Sequence, residues 1–77
     1  MTIAELCSTY RTWVSATQKD EQRDHVLWML DEIPKMPTAD RGKANRWLGF
    51  VQGWLWTKGW SIDQMRKDVR SLDSGQL

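Results

Sequence analysis

Apolar residues Leu6, Tyr10 and Trp13 recur every three or four positions, Thr17 continues the line, and Ile3 and Val14 flank it. That spacing gathers them on one face of an α-helix. The tetrapeptide TIAE at residues 2–5 has the form of a capping box and opens this helix. Residues 17–24, TQKDEQRD, are polar throughout, and beyond them Val26, Met29, Leu30 and Ile33 make a second stripe. At about 100° per residue the two stripes would face nearly opposite ways on one straight helix. The pattern therefore predicts a break around residues 17–20, with Thr17 or Asp20 capping a second helix. One long helix stays compatible with the pattern if a second chain or another element covers its other side.

Pro34 and Pro37 end the second helix, because proline lacks the amide donor and disfavours helix in the residue before it. Thr38 or Asp40 then caps a third helix over residues 39–58, with Gly59 where a left-handed C-terminal residue belongs. SIDQ at residues 61–64 is a second capping box, with Trp60 and Met65 at the stapling positions. It starts a fourth helix over about residues 62–72, whose apolar line is Ile62, Met65, Val69 and Leu72. These elements predict an all-α fold: one domain over residues 1–72, a compact bundle of three to four helices around the third, and a frayed tail over 73–77.

The stretch RWLGFVQGWLWTKGWS, residues 46–61, concentrates four of the six tryptophans and three of the five glycines. On the third helix Ala44, Trp47, Leu48, Val51, Trp54 and Leu55 share one broad face, which reads as core. The opposite side carries Asn45, Gly49, Gln52, Gly53, Trp56 and Thr57, with Arg46 and Phe50 at its margin. Each mid-helix glycine costs up to about 1 kcal/mol relative to alanine. The pattern predicts that close approach offsets this cost, either inside a bundle that covers the helix on both sides or at a self-association or partner groove. Trp13, Trp47 and Trp54 fit the core stripes and Trp60 the staple. Trp28 and Trp56 fall off the apolar lines and are candidates for a binding surface.

Composition narrows the function more than it defines one. Eleven Lys and Arg against ten Asp and Glu give a net charge of +1, which speaks against a DNA mimic and against a strongly cationic nucleic-acid or membrane binder. The longest apolar-dominated stretch, residues 47–56, is about half the ~20 residues of a membrane span. No signal peptide is visible, and the expected setting is a reducing cytoplasm. Cys7 and His25 are each alone of their kind, which excludes a Cys/His zinc site and points to a buried thiol. No nucleophile–base spacing and no phosphate loop appears, so neither a catalytic residue nor a cofactor is expected.

The basic residues carry more. Lys35, Arg41, Lys43 and Arg46 cluster around the start of the third helix, where they add to the positive end of its dipole. That choice points to an anion or an acidic partner, unless the cluster is simply a solvated loop. Arg66, Lys67 and Arg70 lie in the last turns of the fourth helix, where cations are expected on stability grounds. The short turn at residues 57–61 also permits a helix-turn-helix, with Asp63, Gln64, Lys67 and Arg70 on a recognition helix, against the weak electrostatics of a flat net charge.

Residues 43–70, KANRWLGFVQGWLWTKGWSIDQMRKDVR, resemble small uncharacterised proteins of tailed bacteriophages. The shared pattern is a basic residue, RWLGFVQG, a glycine turn and a T/S-I/L-D-E/Q-M/L-R start to a terminal helix. The resemblance implies a protein made early in infection that acts by stoichiometric binding, inhibiting a host enzyme or a defence complex such as a CRISPR effector. The expected contact residues are Trp28, Arg41, Lys43, Arg46, Phe50 and Trp56. The expected partner is a host or defence protein or nucleoprotein, with a nucleic acid as second choice, and with self-association through Gly49 and Gly53 open.

Overall fold

The computed structural model describes residues 1–72, and the expected tail at 73–77 lies outside them. The protein is all-α: α1 spans Ile3–Ala16, α2 Arg23–Glu32, α3 Arg41–Thr57 and α4 Ile62–Arg70. The capping box forms in full at the start of α1. Thr2 Oγ1 accepts from the Glu5 amide, and the Thr2 amide donates to Glu5 Oε1, each at 3.1 Å.

The first two stripes belong to separate helices. Thr17 closes α1 by donating from its hydroxyl to the Val14 carbonyl at 2.7 Å. Neither Thr17 nor Asp20 is the N-cap of α2, a correction to the sequence reading. Asp20 Oδ1 instead accepts from the Gln22 amide at 2.9 Å, a turn that delays the helix, and Gln22 holds the cap position without a side-chain bond. Arg23 reaches back from α2 to the Val14 carbonyl, which Thr17 also bonds, and to the Ser15 carbonyl left open by the end of α1.

Pairing of Arg11 with Leu27 and Asp31, and of Arg23 with residues 14 and 15, makes α1 and α2 an antiparallel hairpin. The two prolines divide the next connection into 3-10 turns at Ile33–Lys35 and Thr38–Asp40. Asp40 holds the N-cap position of α3 but makes no side-chain cap bond, and neither does Thr38. Ile3 lies near Ala44, Tyr10 bonds Gln52, and Thr17 lies near Lys58, so α3 runs alongside α1 in the same direction.

Gly59, at φ +96, ends α3 as expected. Its amide donates to the Trp56 carbonyl at 3.0 Å and the Trp60 amide to Leu55 at 3.1 Å, the two bonds of a left-handed helix stop. The second capping box forms by half. Ser61 Oγ accepts from the Gln64 amide at 3.2 Å, but the Gln64 side chain donates to Asp68 Oδ1 at 3.0 Å instead of turning back.

The core joins Leu6, Tyr10 and Val14 of α1, Val26, Met29 and Leu30 of α2, Ile33, the inner face of α3 and Met65 of α4. Within it the Tyr10 hydroxyl donates to Asp68 Oδ2 at 3.1 Å and accepts from Gln52 Nε2 at 3.1 Å. Trp13 and Trp60 stack face to face, with centroids 4.5 Å apart and planes 4° apart.

One expectation fails. α3 is not shielded on both flanks, because α1, α2 and α4 all pack on its Leu48–Val51–Leu55 side. Nothing lies within 4 Å of where a β-carbon would stand at Gly49 or Gly53, and both residues are exposed. Three short helices of 14, 10 and 9 residues bury one stripe each and have no further apolar face to lay across the glycines.

Candidate interaction surface

The six residues expected at the surface fall into two groups on α3 and its neighbours. Trp28 leaves α2 opposite the core stripe and is 47% exposed. It meets Trp47 of α3 at 5.4 Å between centroids, with planes tilted by 43°. His25, one turn earlier, stacks on Trp28 at 5.5 Å, and Lys43 Nζ sits 5.2 Å over the Trp47 ring. A ladder of three rings capped by a cation results.

Beside the ladder lies an open groove of about 310 Å³, lined by Trp28, Glu32, Lys35, Met36, Pro37, Lys43 and Trp47. Lys35, Met36 and Pro37, which line it, belong to the segment where Pro34 and Pro37 end the helix. Lys35 is held by Glu32 at 3.6 Å. Arg41 belongs to the adjoining hollow, with Ile3, Ile33, Pro34, Pro37 and Ala44.

The second group stands on the outer face of α3. Phe50 is 49% exposed and Trp56 60%, and Gly49 and Gly53 lie between them on the helix surface, at the spacing of three and four that makes helical neighbours. The Arg46 guanidinium lies over Gly42, 3.6 Å from where a β-carbon would stand there. Arg46 and Lys43 thus link this face to the Trp47 edge of the groove.

The charge pattern is uneven. Among the described residues no carboxylate lies within 4 Å of Arg41, Lys43 or Arg46, whereas Arg11, Lys19, Lys35, Lys58 and Arg66 each have one. Three uncompensated cations in the first two turns of α3 are unfavourable to the helix by its dipole, and they stand where two aromatic surfaces meet.

Burial pushes the Cys7 thiol up to about 12, so no thiolate forms near neutral pH. The described residues contain no group of three His, Cys, Asp or Glu able to hold a metal, and no helix among them is long and apolar enough to cross a membrane. On α4, Gln64 is bound to Asp68 and Asp63 pairs with Arg66 at 3.7 Å. Two of the four side chains that a recognition helix would offer to DNA are therefore already engaged.

Sequence reasoning separated Trp28 and Trp56 from the core tryptophans by their position off the apolar lines, and both are exposed. It missed that Trp28 pairs with Trp47 and that His25 joins them. No signal in the sequence linked α2 to α3 at that point, although Lys43 and Trp47, four residues apart, were readable as a cation–ring pair. No protein family, no curated protein and no solved structure matches this chain.

Proposed function

We propose that this protein is a small phage-encoded interaction protein that binds a host or antiviral-defence macromolecule stoichiometrically and inhibits it in the host cytoplasm, a CRISPR effector being one such target. The observation that supports this reading is the set of three cations without carboxylates, Arg41, Lys43 and Arg46, beside the exposed Trp28 and the partly buried Trp47 it meets. An exposed tryptophan that a partner would desolvate, with flanking basic groups, is the composition of an interface hot spot for an acidic partner. In this reading Trp28 is the anchor, Arg41 and Lys43 steer the partner, and Arg46, Phe50 and Trp56 extend the contact.

The test is phage plating on bacteria that carry defined defence systems, CRISPR interference among them, with and without this protein. The expected result is restored plating in one system, lost in a variant with Trp28→Ala and Lys43→Glu that keeps its helical circular dichroism. Protection left intact in every system, or restoration equal in the variant, overturns the reading. Purified protein that retards duplex DNA with a steep salt slope would replace it with a DNA-binding regulator.

A further inference from the structure

The outer face of α3 poses a separate problem. Within one molecule its two glycines weaken the helix and receive no compensating contact, while Phe50 and Trp56 leave about half or more of their surface in water. The first turns carry cations that no carboxylate neutralises. One arrangement answers all three features.

We propose that this face pairs with the same face of a second copy of the chain, antiparallel, about a two-fold axis at the height of Val51. Gly49 and Gly53 stand two residues either side of Val51, and Arg46 and Trp56 stand five residues either side. The two-fold therefore sets Gly49 against Gly53 of the second copy, where the bare backbone lets the helices approach. It also brings Arg46 level with Trp56 of the second copy, twice, about 7.5 Å from the axis at 1.5 Å rise per residue. Each such pair is a cation beside an aromatic ring.

Charge selects this occupant and this direction. The face carries Arg46 at one end and its exposed indole, Trp56, at the other, so it complements itself only when reversed. Antiparallel packing lays the Arg41–Lys43–Arg46 end beside the negative end of the second α3 dipole. Parallel packing would set Arg46 against Arg46 and gather six cations at one end. A contact of this kind is isologous and closes at two copies. A 17-residue helix offers a face about 25 Å long, too small for a standard interface of about 800 Å² per partner, so the dimer is weak and concentration-dependent.

Sedimentation equilibrium of the purified protein from about 10 μM to about 1 mM, a range that spans weak association, tests this. The expected mass rises from 9.1 kDa towards twice that value. Arg46→Glu is expected to weaken pairing about tenfold, the order set by two cation–ring contacts. Gly49→Ala with Gly53→Ala should weaken pairing while raising the thermal stability of the dilute monomer, a combination that misfolding cannot produce. Mixing Arg46→Glu with Trp56→Lys should restore a heterodimer, because only antiparallel register sets residue 46 against residue 56. A single 9.1 kDa species near 1 mM, larger open oligomers, or a dimer indifferent to these variants overturns the proposal. Trp28→Ala leaves self-pairing unchanged, so failure here is separable from failure of the partner reading.

Discussion

Tyr10 on α1 and Asp68 on α4, 58 residues apart in sequence, share a buried hydrogen bond of 3.1 Å that ties the first helix to the last. Gln52 of α3 donates to the same hydroxyl and Gln64 to the other carboxylate oxygen, so three helices meet on one polar chain. Such a chain is stable only when every member is satisfied. Tyr10→Phe leaves the carboxylate short of a donor in a buried position and is expected to cost about 1–3 kcal/mol. In a domain of this size that is a melting-temperature drop of roughly 5–15 °C, read by circular dichroism. A change under a few degrees would show that the bond contributes nothing net.

The same hydroxyl predicts how stability responds to alkali. Burial, reinforced by the adjacent Asp68 carboxylate and opposed by the bond from Gln52, holds Tyr10 protonated well above its ordinary 10.0. Burial alone raises Cys7 from 9.0 to about 12. Both groups keep their protons in the folded chain where the unfolded chain has lost them. Stability from each is complete below the unfolded value and declines above it, from pH 9 for Cys7 and from pH 10 for Tyr10. Each proton contributes a slope of about 1.4 kcal/mol per pH unit. Urea titrations between pH 8 and 11 should show stability falling with rising pH, less steeply above pH 10 in Tyr10→Phe. A flat profile in the wild type contradicts this.

A glycine inside α3 and the glycine that ends it respond oppositely to alanine. At Gly59 the backbone is left-handed, with φ +96, and a side chain there is strained; Gly59→Ala is expected to destabilise by about 1 kcal/mol or more. At Gly53 the backbone is helical and the space beyond it open, so Gly53→Ala is expected to stabilise the dilute monomer by up to about 1 kcal/mol. Thermal melts of both variants at low micromolar concentration decide the signs.

Cys7 is buried and its thiol stays protonated near neutral pH. A disulfide reagent at pH 7 to 8 is expected to label it only on the timescale of unfolding. Its labelling should accelerate in urea in step with loss of helix. Immediate labelling of the native protein would show that the α1 face is open to solvent.

Much of this fold was legible along the chain because its determinants are local. Apolar spacing put Leu6 and Tyr10 on the first stripe, with Val14 flanking it, and Val26, Met29, Leu30 and Ile33 on the second, and all of these lie in the core, whereas Trp13 of the first stripe is only partly buried. Thr2 and Glu5 signalled the first cap, the two prolines the central break, and Gly59 the end of α3. The α2 cap was misread because Asp20 serves the turn before the helix rather than its first residue, a choice between two adjacent hydrogen bonds that spacing does not resolve. Asp68 falls on no apolar line of the sequence, yet it is buried. Its burial depends on Tyr10 arriving from α1, 58 residues away, although a core tyrosine usually needs a polar partner.

By itself, then, the chain determined where helices begin and stop and which stripe of each turns inward, because capping, proline geometry and 3.6-residue periodicity act within a few residues. Only tertiary packing decided which neighbours those stripes find. It paired Trp28 with Trp47, joined Tyr10 to Asp68 and left the glycines of α3 uncovered. Such contacts depend on how many helices of what length compete for one thin core, a property of the whole molecule rather than of any segment.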